Sequence, residues 1–388
     1  MPKNNLKIAY LSTWPPRPCG IATFTSDLAH AIEKVNPKIS WEVITIDEPG
    51  AKHDYDNRVT FVIKQDDFET YKKAAEYINN HNFDLVNLQH EYNLYGGELG
   101  EWILDFLSEI KIPIVTTFHT IPFPELFKGK NPKKKIKILK NIASESQKIV
   151  TMSRTGFLKL NKEYKIPSQK ISIIPHGGPM IERIPIKRAK EKLGFSPSTY
   201  ILSSYGLIGW DKNYEQIIKA LPKIISIFPK TIFLICGQEH PVLSRDYYDF
   251  LKGLVRKLNL DKNVIFVAHY LTLKELIQYL QATDIFLHTS AILSLSSSGT
   301  LTYAIIAGRS IITTPFVYAK EVLKEKGIFV PLNDSDRLAD EIIKVLKNPK
   351  EKNKKEEEMY RFGQNLLWPK MAKKYIDVFS KVIEGKNE

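Results

Sequence analysis

The sequence predicts a two-domain α/β protein built on parallel sheets, and three observations carry that reading. Short apolar runs rich in β-branched residues alternate with longer helical patterns along nearly the whole chain, the mark of parallel sheets with crossover helices. The length of 388 residues exceeds one typical core and suits two domains of roughly 180 residues each. A stretch rich in Pro and charge, Pro175 to Pro197, interrupts the alternation near the middle, and the boundary is placed inside it, between 184 and 185.

In the first half the strand candidates are Leu6 to Leu11, Glu42 to Ile46, Val59 to Ile63, Asp84 to Leu88, Pro113 to Phe118, Lys148 to Met152 and Ile171 to Ile174, each a short apolar run bounded by turn residues. Helical spacing fills the gaps, as at Phe24 to Glu33 and Leu99 to Ile110. The second half repeats the pattern, with strands at Tyr200 to Ser204, Thr231 to Cys236, Asn263 to Ala268, Asp284 to His288, Ser310 to Thr313 and Gly327 to Pro331. Helices at Asn213 to Ile227, Tyr247 to Leu258, Thr272 to Gln281, Thr300 to Ala307 and Ser335 to Leu346 separate them. The last segment starts as a highly charged helix and ends in an amphipathic one, Met371 to Ile383, whose apolar side carries Ile376, Phe379 and Val382 and needs a docking surface.

Composition narrows the class. With 43% hydrophobic and 26% charged residues the chain has the make-up of a globular protein with a sizeable core. No apolar run approaches the ~20 residues that span a bilayer, and the opening MPKNNLKIAYLSTWPP reads as a first strand, not a signal peptide. The two cysteines, Cys19 and Cys236, support neither a disulfide framework nor a zinc site, and a cytoplasmic location is expected. The net charge of +13 favours an anionic partner: nucleic acid, acidic lipid or a phosphorylated small molecule. No recognition helix, paired zinc ligands or RNA-binding aromatic signature is present, so nucleic acid is not expected. The densest basic run, Lys128 to Lys140, is read as a solvated helix start or loop, or as a membrane-facing patch.

In an open parallel sheet the ligand lies beyond the carboxyl ends of the strands. The segments there are polar and Gly-rich in both halves: STWPPRPCGIATF, QHEYNLYGGE and HTIPFPE in the first, SYGLIGWDKN, GQEHP and SSSGTL in the second. Loops of this kind in both halves predict two facing rims of one cleft. A dinucleotide fingerprint is missing, because the first loop has only Gly20 and the Gly206 and Gly209 spacing is wrong. The run Ser296 to Leu301 leads into a helix, and a helix N-terminus is a ready anion site, although serines there also serve simply as caps. Lys212 offers the formal charge that backbone donors lack, or is a solvated lysine.

These segments together, with IVTTFHTIP, IVTMS, IIPHG, SSSGTLTYAIIAG and IITTPFVYAKEVL, resemble the family-4 retaining glycosyltransferases over essentially the whole chain. The resemblance is strongest to a subgroup with an S-G-T-L-x-Y-A donor-site segment. It implies the GT-B fold, two doubly wound Rossmann-like domains facing an interdomain cleft: residues 1–184 for the acceptor, 185–365 for the donor, and a C-terminal helix, 366–388, returning to the N-terminal domain. It further implies a nucleotide-diphosphate sugar as co-substrate, with no other cofactor and no metal. It implies a carbohydrate or lipid-linked acceptor, and transfer of a hexose, mannose before glucose, with retention. The positive charge is compatible with a peripheral membrane contact.

Residue by residue, the resemblance places His119 at the transferred sugar. Gly20 and Lys212 fall at the donor phosphates, and Ser297, Ser298, Gly299, Thr300 and Leu301 in the loop that holds phosphate and sugar hydroxyls. His90, Glu91 and Glu98 are expected either at the acceptor or as structural groups. The sequence departs from the family where two glutamates commonly stand, at Leu295 and Tyr303, and where an arginine commonly precedes the lysine, at Leu207; Gly299 is offset by one position from the usual glycine. Two other readings follow from these departures: a glycoside phosphorylase that uses inorganic phosphate, and a non-catalytic sugar- or nucleotide-binding subunit.

Overall fold

The computed structural model describes residues 6–126, 131–240 and 246–385. The chain forms two compact units: one takes the described residues up to Gly177 together with those from Trp368 onward, and the other is Gly178–Leu367.

The first unit is built on seven parallel strands: β1 (Lys7–Ser12), β2 (Ser40–Asp47), β3 (Val59–Lys64), β4 (Leu85–His90), β5 (Ile114–Phe118), β6 (Lys148–Thr151) and β7 (Ile171–Ile173), in the spatial order β3-β2-β1-β4-β5-β6-β7. The chain winds outward from β1 in one direction and then returns to add β4 on the other side. The carboxyl ends of β1 and β4 therefore flank the point where the winding reverses, the place where doubly wound sheets bind ligands. The central strands are buried on both faces, β4 and β5 along their full length, which explains their continuous apolar character.

One side of this sheet is closed by two helices distant in sequence. Gly20–Val35 contributes Phe24, Leu28 and Ile32, and Trp368–Ile383 contributes Trp368, Met371, Tyr375 and Phe379, all in one buried cluster. Phe379 and Val382 are buried there and Ile376 packs against its edge. Two polar contacts fix the helix register: Trp368 Nε1 donates to Asp27 at 3.1 Å, and the Tyr375 hydroxyl lies 3.1 Å from Thr117 Oγ1 on β5. The C-terminal helix is thus an integral layer of the first unit.

The expected helix from Leu99 is shorter in the structure. Leu99 itself has φ 62°, a left-handed conformation that a non-glycine residue rarely takes, so a short turn at Glu98–Gly100 precedes the helix Ile103–Glu109. The described part of the basic run forms the helix Pro132–Glu145, whose Ile138, Leu139, Ile142 and Ala143 are buried while Lys133, Lys137 and Lys140 are exposed; Lys128 and Lys130 lie outside the described residues.

The second unit repeats the winding with six parallel strands: β8 (Tyr200–Tyr205), β9 (Thr231–Cys236), β10 (Val264–Val267), β11 (Ile285–His288), β12 (Ser310–Thr313) and β13 (Ile328–Phe329), ordered β10-β9-β8-β11-β12-β13. Two apolar cores, one on each face, hold this sheet between its helices. The reversal point lies between β8 and β11, so the loops after these two strands face the ligand position.

Candidate active site

In the first unit the strand ends are organised around His119, which follows β5 and is 5% exposed. Two side chains of β4, anchored on a carbonyl of β5, fix its proton. The Val115 carbonyl can only accept, so Asn87 Nδ2 donates to it at 3.0 Å and Asn87 Oδ1 accepts from Gln89 Nε2 at 2.7 Å. Gln89 Oε1 then faces His119 Nε2 at 2.8 Å, which makes Nε2 the protonated nitrogen and Nδ1 the ring's acceptor. Burial, with the nearby His176 and His90, lowers the His119 pKa from 6.5 to about 3. The ring is a neutral imidazole at physiological pH, suited to accept a hydrogen bond from a hydroxyl and unsuited to carry charge.

Phe24, on the helix that begins at Gly20, meets His119 edge-on at 4.7 Å and His176 at 5.0 Å. His176 donates from Nδ1 to the Gly177 carbonyl at 2.6 Å and is likewise held neutral by burial, with a pKa lowered to about 4. Gly20 opens this helix, and a Cβ placed on it would meet no atom within 4 Å. Nothing in the fold requires glycine there, so its bare backbone is open to an approaching ligand.

The three candidate acceptor residues separate. Glu91 accepts from Thr120 Oγ1 at 2.7 Å and from the Tyr92 amide at 2.8 Å. It is tied to the residue after His119, and burial pushes its carboxyl pKa up. His90 is corrected: it is fully buried among Tyr92, Tyr95 and Phe118, neither ring nitrogen has a hydrogen-bond partner, and burial lowers its pKa to about 3. Side chains alternate along a strand; with Gln89 facing His119, His90 must face away. Glu98 is also corrected. It is an exposed residue that pairs with Lys134 at 2.6 Å and bonds Asn131, a surface interaction that lowers its pKa and does not bring it to Glu91 or His119.

In the second unit the loops after β8 and β9 lie against each other. A Cβ on Gly237 would sit 2.0 Å from the Gly206 carbonyl oxygen, and Gly237 has φ 148°, so only glycine permits this approach. Ile208 N donates to Gln238 O at 2.8 Å and His240 N to Ile208 O at 2.9 Å. The Lys212 chain passes Gly206, its Cε 3.6 Å from where a Cβ would be, and its ammonium pairs with Asp211. Thr289 Oγ1 bonds the Lys212 carbonyl at 2.8 Å and that of Asn213 at 3.1 Å, locking this loop to the one after β11.

Ser298 caps the helix Gly299–Ile306, its hydroxyl accepting from the Leu301 amide at 3.3 Å. Gly299 and Thr300 open the first turn and are partly exposed, and their amides belong to the group of helix-start donors that lack intrahelical partners. His288, at the end of β11, joins the two features. Its Nε2 is 3.4 Å from Ser298 Oγ, its ring interacts electrostatically with Lys212 and Asp211, and its enclosed Nδ1 has no hydrogen-bond partner. Burial lowers its pKa to about 3. Lys212 and the helix terminus thus both reach one histidine and supply a side-chain cation and oriented N–H groups, a set suited to a diphosphate. Tyr303, where a glutamate is common, is 5% exposed and packs in the apolar core with Leu295 at its margin; neither position presents a carboxylate.

Sequence reasoning did not single out Gln89, Asn87, His176, Asp211 or His288. The segments QHEY and IIPHG contained two of them, but their roles depend on pairings between strands.

Two parallel Rossmann-like sheets with ligand loops at both reversal points define the GT-B class. Residues 19–178 match the family model described as Glycosyltransferase Family 4 and residues 185–365 the one described as Glycosyl transferases group 1, and the chain belongs to this family of glycosyltransferases. It is 23% identical over 366 residues to the alpha-monoglucosyldiacylglycerol synthase of Streptococcus pneumoniae, covering 87% of this chain and 77% of that protein. Among solved structures it resembles Anabaena HepE in complex with UDP and glucose, with TM-score 0.75 and 14% identity over 97% of this chain and 100% of the other. It also resembles the sucrose-phosphate synthase of Thermosynechococcus elongatus, with TM-score 0.79 and 17% identity over 98% and 100%.

Proposed function

We propose that this glycosyltransferase moves a hexose, with retention of anomeric configuration, from a nucleoside-diphosphate sugar to a hydroxyl of a carbohydrate or lipid-linked acceptor. The observation that carries the proposal is the convergence of Lys212 and the Ser298-capped helix terminus on His288. In the step envisaged, the bond from the anomeric carbon to the β-phosphate oxygen breaks and the nucleoside diphosphate leaves with the electron pair. The acceptor oxygen bonds the same carbon, and its proton passes to the departing phosphate. Lys212 and the amides of Gly299 and Thr300 stabilise the charge on the leaving group. Gly20 lets the backbone approach the donor, and His119 accepts a hydrogen bond from a sugar hydroxyl.

Glucose replaces mannose as the first donor to test, because the Streptococcus relative is named for glucosyl transfer to a diacylglycerol and HepE is bound to UDP and glucose. A lipid acceptor accords with the exposed lysines of the helix Pro132–Glu145 and the net charge of +13, which favour a peripheral contact with an acidic membrane surface. No helix among the described residues is long and apolar enough to cross a membrane. The test is release of nucleoside diphosphate from UDP-glucose and GDP-mannose, with diacylglycerol vesicles and with soluble sugars as acceptors; no release from any pairing sinks the proposal.

The apolar surroundings of Tyr303 and the Leu207 substitution favour a second reading, phosphorolysis, in which inorganic phosphate attacks a glycoside and yields a sugar 1-phosphate. Phosphate-dependent cleavage of disaccharides without nucleotide supports that reading, and tight binding of UDP or GDP excludes it.

A further inference from the structure

We propose that the second unit carries a separate binding site for a small organic anion, a phosphate or carboxylate on an apolar body, in a cavity of about 290 Å³ at the starting ends of β12 and β13. The floor is Ser310, Ile311 and Ile328, and the helices Ser335–Lys347 and Pro349–Gly363 form the walls, with Val345 and Met359 as apolar surface. Lys212 and Ser298 lie beyond the opposite, carboxyl ends of the same sheet, so this cavity is not part of the candidate active site.

Charge bookkeeping points to the ligand. Five cations line the cavity, Arg309, Lys326, Lys344, Lys352 and Lys355, and each of the four lysines has a carboxylate within 4.0 Å, Glu325 for Lys326, Glu341 for Lys344, Glu356 for Lys352 and Glu351 for Lys355; the cation left over is Arg309. Arg309 is 7% exposed. It donates from Nε to Ala307 O at 3.1 Å and from Nη1 to Thr283 O at 3.2 Å, and it has no ion pair with any described residue. The two buried carboxylates whose charge reaches it, Glu356 and Asp284, form their own ion pairs with Lys352 and Lys190, each at 2.7 Å. Glu341 pairs with the exposed Arg337 at 2.7 Å. A buried cation that is held by carbonyl hydrogen bonds and has no ion pair of its own is costly, and burial lowers the Arg309 pKa. An acidic group placed beside Arg309, with its apolar part on Val345 and Met359, removes that cost and covers apolar surface.

The test is calorimetry on the full chain with phenyl phosphate at constant ionic strength, with inorganic phosphate and benzyl alcohol as the two half-ligands. We expect saturable binding of phenyl phosphate, tighter than either half, retained in Lys212→Met and weakened at least tenfold in Lys344→Glu/Lys355→Glu. Both changes in that variant are on the helix surface, so it keeps its fold; Val345→Trp, which fills the cavity, gives the same loss without altering charge. The proposal is overturned by any of four results: no saturable binding, equal binding of benzyl alcohol, indifference to both cavity variants, or loss in Lys212→Met, which places the anion on the phosphate loop.

Discussion

At the strand ends of the first sheet the polar groups are amides and imidazoles that burial keeps neutral; at those of the second one such imidazole, His288, stands with a lysine, its aspartate and the open end of a helix. The two units share a winding order and differ in the sign of what they offer. The first has three buried histidines, His90, His119 and His176, whose pKa values fall to between about 3 and 4, and a relay of amides that fixes the proton on one of them. The second puts Lys212 over Gly206 and a Ser298-capped helix start within 3.4 Å of His288. On the proposed function, one fold would serve recognition of neutral hydroxyls in one unit and of phosphate charge in the other, with the side chains after the strands deciding which.

The largest expected effect comes from removing the charge. Lys212→Met should lower turnover by about 10²- to 10³-fold, the range for loss of one group that stabilises developing negative charge, while the melting temperature stays near that of the parent because the ammonium is partly exposed and paired only with its neighbour Asp211. Release of nucleoside diphosphate measures the first and a thermal melt the second. Unchanged turnover breaks the assignment of charge to the second unit.

His119→Ala comes next, with an expected loss of about 10- to 10²-fold, as for one positioned hydrogen-bond group. Gln89→Met distinguishes a placed imidazole from a merely buried one. It leaves His119 in position but removes the acceptor that holds the proton on Nε2, so turnover should fall several-fold. If Gln89→Met matches the parent in kcat and KM, the amide relay has no bearing on the reaction.

This relay also shows what the sequence could and could not convey. The strands were legible because β-branched runs flanked by turn residues have few alternatives, and Lys212 and Ser298 to Leu301 were legible because their motif is continuous in the chain. The relay Val115, Asn87, Gln89, His119 joins two strands through parallel pairing of Asn87 with Val115, and no local pattern contains that register. His90 and Gln89 are adjacent polar residues on β4, both fully buried, and spacing alone cannot assign which of them faces His119. Glu98 misled for a similar reason: its partner Lys134 is 36 residues away, so the carboxylate looked uncommitted.

Acid should also separate the units. Each of the three histidines in the first unit, and His288 in the second, has a folded pKa below the usual 6.5. Between the folded and unfolded values the unfolded chain binds more protons, so stability is fully present above pH 6.5 and is lost as pH falls toward 4. Each group contributes up to about 1.4 kcal/mol per pH unit in that window. Three such groups, against His288 and the partly buried His240 in the second unit, predict that amide protection, corrected for the intrinsic exchange rate at each pH, falls more in β4 and β5 than in β8 and β11 between pH 7 and pH 5. An equal fall contradicts the contrast in buried histidines.

The smallest effect is expected at Gly20, and it tests whether the first unit also approaches the donor. A Cβ there meets nothing within 4 Å, and alanine is favoured over glycine in a helix by up to about 1 kcal/mol; Gly20→Ala should leave stability unchanged or slightly higher. Any loss of turnover must then come from a ligand that needs the space, since the fold does not. A several-fold rise in KM for the nucleotide sugar, with the melting temperature held or raised, identifies the start of this helix as a surface the donor touches. If KM is unchanged, donor recognition is confined to the charged loops of the second unit, and the division between neutral and charged recognition is sharper than the proposal assumes.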